Sequence, residues 1–82
     1  MENAPFEPLT LLYGRARGRR LVDVQGAWQF LVGNWPAAFA DTSLHRRARI
    51  KGLGALSGEG SVKVFRAALV LAAEEAGIVA AK

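Results

Sequence analysis

The chain has 82 residues, 51% of them apolar and 22% charged, with 11 basic against 7 acidic side chains and a formal net charge of +4. That length suits one domain with a modest core, and the absence of cysteine excludes disulfide staples, thiolate nucleophiles and cysteine metal sites. The longest uninterrupted apolar run, AALVLAA at residues 67–73, is far shorter than the ~20 residues that cross a bilayer.

The opening MENAPFEP lacks the basic start of a signal peptide, so a cytoplasmic protein with no membrane association is expected. Residues 1–7 read as a flexible N-terminus and residues 8–82 as a single α+β domain. Pro8 suits the start of an edge strand. Leu9, Leu11 and Tyr13 then recur at the two-residue period of a half-buried strand. Gly14 and Gly18 bracket Arg15, Ala16 and Arg17 as a hairpin loop, and Arg20, Leu21 and Val22 return as a second strand.

Asp23 is placed to cap a first helix. Val24, Ala27, Trp28, Leu31 and Trp35 share one helical face, and Pro36 ends the pattern because the residue before a proline avoids the α region. Residues 37–41 connect to a second helix, capped by Thr42 or Ser43, whose apolar stripe is Leu44, Ala48, Gly52, Ala55 and Leu56 and whose stop is Gly58. Ser61 caps a third, with Val62, Phe65, Leu69, Ala72 and Ala76 on one side and Gly77 supplying the C-terminal turn. The expected order is an N-terminal β-hairpin followed by three helices, ββααα.

Several of these residues together resemble a known pattern. Trp35-Pro36 closes the first helix; Ala48, Ala55-Leu56 and Gly58 mark the second; Ser61, Arg66, Ala68, Ala72-Ala73 and Ala76-Gly77-Ile78 mark the third. The ordered set, over residues 9–78, looks like the domain of unknown function 982 family of small bacterial proteins. Gly52 stands where the pattern has a cysteine in many relatives, and Phe65 where it has a small residue. The resemblance implies a compact α+β domain and brings no activity or catalytic residue with it.

The residues themselves offer little chemistry. His45 is the single histidine, and a triad would need Ser43, Ser57 or Ser61 and an acid such as Asp23 or Asp41 beside it; all of these stand at helix ends, where they serve as caps. One histidine with scattered carboxylates is poor material for a metal site. The run GLGALSGEG at residues 52–60 fails both the dinucleotide fingerprint and the P-loop pattern, and reads instead as helix packing and a turn. No enzyme activity, cofactor or metal is therefore expected.

Charge and exposed apolar surface carry the functional expectation. Residues 15–51 hold eight cations and two acids, a local excess of +6. With Arg46 at 0° on a helical wheel, Arg47 and Lys51 fall at about 100° and 140°, Arg49 at about 300°, and Ile50 and Leu53 between them at about 40° and 340°. The cations thus flank an apolar pair opposite the core stripe, whereas a groove-reading helix presents polar side chains at its centre. Pairing of Arg46 and Arg47 with Glu74 and Glu75 across antiparallel helices is expected to hold much of this charge within the fold. AALVLAA is apolar all round, which predicts a third helix that is central or shared with a second subunit. The leading expectation is a non-enzymatic interaction module, homodimeric through Ile50, Leu53, Val64 and Val70, with another protein partner as a further option. The alternative is a small nucleic-acid-binding protein contacting phosphates through Arg15, Arg17, Arg46, Arg47 and Arg49.

Overall fold

A computed structural model describes residues 3–12 and 18–79. Strand β1 (Pro5–Leu12) pairs antiparallel with β2 (Gly18–Asp23), and three helices follow: α1 (Val24–Gly33), α2 (Ser43–Ser57) and α3 (Val62–Ala76). The ββααα order is the one expected. Tyr13, Gly14 and the loop arginines Arg15 and Arg17 lie outside the described residues.

β1 begins at Pro5 rather than Pro8. Two interactions extend it: Pro5 pairs with Asp23 after a register irregularity ahead of Leu9, and the Phe6 ring sits 6.4 Å from Phe65. Leu9 and Leu11 point into the core, as their alternation predicts, together with Leu21 of the facing strand. The second edge of β1 is sealed. The Arg66 side chain donates to the Glu7 and Pro8 carbonyls at 2.8 and 3.1 Å, the Leu12 amide donates to Ile78 O at 2.7 Å, and Leu11 bridges Val79. Between that strand and the start of α3 lies a cleft of about 460 Å³ lined by Phe6, Val62, Lys63 and Arg66 among others.

Each helix starts on the cap its sequence offers. Asp23 accepts from the Gly26 amide at 2.8 Å, Thr42 from His45 at 3.1 Å, and Ser61 from Val64 at 3.2 Å. Such caps satisfy backbone donors that have no partner inside the helix, worth about 1 kcal/mol each. α2 and α3 end on Gly58 and Gly77 in the left-handed region, at φ of 84° and 71°. α1 stops at Gly33, and the connection to α2 contains a 3-10 turn, Ala37–Phe39.

The hairpin packs on α1 and α3, while α2 packs chiefly on those same two helices. Phe30, Phe65, Leu11, Leu31, Leu69 and Val24 fill the core between them, each contributing about 2–3 kcal/mol of transfer free energy. The buried face of α1 differs from the expected one: Phe30 is enclosed, whereas Trp28 and Trp35 are half-buried at the rim. Phe30 gains the interior place because Arg19 covers its ring at 5.9 Å and Trp35, past the helix end, meets it edge-on at 6.0 Å. No helix of the described residues is long and apolar enough to cross a membrane.

α2 comes close to both neighbours at Gly52. A Cβ there would sit 2.9 Å from ring carbons of both Phe65 and Trp28. At the following turn, a Cβ on Gly60 would sit 2.9 Å from the Gly54 carbonyl carbon, whose oxygen accepts from both Glu59 and Gly60. The glycine run at residues 52–60 is thus explained by chain packing.

Candidate functional site

α2 carries both features that the sequence singles out, the cations and the exposed apolar pair. Its buried stripe is His45, Ala48, Gly52, Ala55 and Leu56. Ile50 projects directly away from that stripe and is 66% exposed; Leu53 is 51% exposed. Across the groove on α3, Val64 is also exposed, and with Ile50, Lys51 and Gly54 it lines a cleft of about 370 Å³. Val70 differs from these residues: it is half-buried and packs against the core.

α3 is neither central nor covered all round within one chain. Ala67 is exposed and Leu71 is half-exposed, at 49%. Glu74, Ala67, Leu71 and Val64 fall within an arc of about 80°, so Leu71 extends the exposed apolar surface started by Ile50 and Val64. Its place two turns after Val64 in an apolar run could have flagged it.

The cations are held differently from expectation. Asp41, not Glu74 or Glu75, is the intramolecular partner: its carboxylate accepts from Arg49 at 2.6 Å and lies 3.9 Å from Arg46. The separation of roles follows from backbone geometry, because Asp41 stands just before the α2 cap at φ 73°, a left-handed conformation that aspartate tolerates. The Arg49 hydrogen bond holds the Asp41 carboxyl below its usual value, assisted by the Arg46 charge and opposed by partial desolvation. Glu75 instead accepts from the Thr42 hydroxyl at 2.6 Å, which does place the start of α2 beside the end of α3. Arg47, Lys51 and Glu74 are exposed and make no ion pair among the described residues.

His45 belongs to the core and not to a surface site. It is 3% exposed. Its Nδ1 accepts the Asp41 amide at 3.1 Å, so the remaining nitrogen, Nε2, carries the hydrogen and donates to the Leu31 carbonyl at 2.9 Å. Leu31 is in the last turn of α1, where carbonyls lack helical partners; His45 thereby ties the end of α1 to the start of α2. Both nitrogens are occupied by backbone groups, so neither is available to a substrate. The ring also packs on Trp35 at 5.4 Å. The position of His45 three residues before Ala48 and seven before Gly52 put it on the core stripe, a signal readable from spacing alone. Among the described residues Trp35 Nε1 is buried with no hydrogen-bond partner, a cost of about 1–3 kcal/mol set against its ring contacts. Among the described residues no cluster of three or more histidines and carboxylates could hold a metal ion.

The sequence model of the family described as "Protein of unknown function (DUF982)" matches residues 7–80, nearly the whole chain. The chain belongs to that family. Neither the curated proteins nor the solved structures contain a match to it.

Proposed function

We propose that this family member is a non-enzymatic interaction module that self-associates through the outer face of α2 and α3. The observation that carries the reading is the exposure of Ile50 and Val64, which line one cleft between α2 and α3, with Leu53 and Leu71 about half exposed on the same two helices. Apolar surface gathered in one place, rather than scattered, is what association sites present. Cations at its margin, Arg47 and Lys51, keep such a face soluble while it is uncovered.

Phosphate binding through Arg15, Arg17, Arg46, Arg47 and Arg49 is less favoured, because Asp41 already occupies Arg49 and lies beside Arg46. It would give binding that falls steeply with salt, whereas apolar association would not. Light scattering at micromolar concentration tests the leading reading: the expected mass is twice that of one chain. Ile50→Lys or Leu53→Lys is expected to return the single-chain mass with unchanged circular dichroism. A wild-type chain at single mass refutes it, and low-salt gel shifts that vanish as salt rises would favour the phosphate reading instead.

A further inference from the structure

We infer that the second copy docks with its α2 lying over α3 of the first, about a two-fold axis parallel to these helices, so that Arg47 of each chain meets Glu74 of the other. The inference rests on the self-association reading above and specifies its geometry.

The register of α2 against α3 is fixed by two contacts. Thr42 touches Glu75, and Gly52 meets Phe65. Stepping from the first contact to the second moves ten residues up α2 and ten down α3, so the helices are antiparallel and in step. By the same stepping Ile50 is level with Ala67, and Leu53 with Val64.

A two-fold axis running along the groove carries α2 of one chain onto α3 of the other without changing height. Ile50 then faces the exposed Ala67, with Leu71 beside it, and Leu53 faces Val64. The small side chains Gly54 and Ala67 allow the helices to approach. Arg47 lies about 6 Å along the axis from Glu74, four residues at 1.5 Å each. Side chains lean toward the N-terminus of their own helix. In antiparallel helices this brings the Arg47 guanidinium and the Glu74 carboxylate toward each other, and neither makes an ion pair among the described residues of one chain.

Charge also selects this axis over the other in-plane choice. A two-fold perpendicular to the helices lays α2 on α2, bringing Arg46, Arg47 and Lys51 against their own copies with no acid on that helix to offset them. Like charges juxtaposed in this way disfavour an arrangement, while complementary ones fix the register.

The test is charge reversal with complementation, read by light scattering and analytical ultracentrifugation. Arg47→Glu and Glu74→Arg are each expected to weaken the dimer about tenfold or more, because each reversal acts twice across the axis. Mixing the two variants is expected to restore the wild-type mass, since one side of the heterodimer pairs the native residues and the other the swapped ones. A misfolded variant could not be rescued in this way. Wild-type chain at single mass overturns the self-association reading and this geometry with it. A wild-type dimer indifferent to both reversals, or variants that fail to complement, overturns the geometry alone.

Discussion

Replacing His45 by Phe keeps a ring of similar size against Trp35 while deleting both ring nitrogens. Two backbone groups then lose their partners: the Asp41 amide, bonded to Nδ1 at 3.1 Å, and the Leu31 carbonyl, bonded to Nε2 at 2.9 Å. Each buried polar group left unsatisfied costs about 1–3 kcal/mol, and the added apolar ring offsets about 1 kcal/mol. The expected net loss is about 1–5 kcal/mol, centred on about 3 kcal/mol. A domain of this size has roughly 4–12 kcal/mol in all, so the change is a large fraction of the total. It corresponds to a fall in Tm of roughly 10–25 °C, measured by thermal melts and checked by urea titration. Amide exchange adds a local readout, because the Asp41 amide is expected to lose protection well before the centre of α2 does. His45→Gln, which keeps a donor and an acceptor, should recover part of the loss. A His45→Phe protein within about 0.5 kcal/mol of wild type would refute the view that this histidine fastens α1 to α2.

Gly52→Ala gains about 1 kcal/mol of helix propensity but sets a methyl 2.9 Å from two ring carbons; overpacking of about 1–3 kcal/mol is expected to win, with Gly52→Val worse, in urea unfolding. Thr42→Val removes the α2 cap and the bond to Glu75, at about 1–2 kcal/mol, whereas Thr42→Ser is expected to stay within about 0.5 kcal/mol of wild type in the same assay. Asp41 has a folded pKa below its usual 3.8, chiefly through the Arg49 hydrogen bond. Its contribution is therefore complete above that value and lost as pH falls through the lower folded one. Stability measured across the acid range should show the gap between wild type and Asp41→Asn closing as pH drops below 3.8.

The parts of the fold that depend on neighbours in the chain were legible. Asp23, Thr42 and Ser61 cap because a side-chain oxygen reaches an amide only three residues on, and Gly58 and Gly77 end helices because they accept positive φ. The strand alternation of Leu9 and Leu11 is equally local. Features set by contacts across the fold were not legible. Nothing near Phe30 announces that Arg19 and Trp35 will enclose it in preference to Trp28. Nothing near Pro5 announces that Phe65, some sixty positions later, will hold the strand start in place. The outer surface was half visible. Ile50, Leu53 and Val64 follow from angular placement; the same placement sets Val70 away from the Phe65–Leu69 stripe, yet it is half-buried against the core, and Leu71 is exposed. The charge pairing was missed for a simpler reason: Asp41 precedes the helix, so a helical wheel cannot show it beside Arg49.

The seal on the outer edge of β1 has a kinetic consequence. α2 and α3 can meet by closing a short turn, and the two strands by closing one hairpin loop. The bridge from Leu11 to Val79 and the bond from Leu12 to Ile78 instead join residues more than sixty positions apart, and Arg66 reaches back nearly as far to Glu7 and Pro8. Closing loops of that span costs the most chain entropy and is compensated only after the intervening helices have assembled. The strand is thus expected to be the part of the domain completed late. Until Arg66 and the segment from Ile78 arrive, its unpaired amides and carbonyls form an open edge that another partly folded chain can use as a template. One arginine and two residues beyond α3 are therefore expected to shut the edge against misassembly at the last stage of folding, an effect that no equilibrium measurement on the finished domain would register.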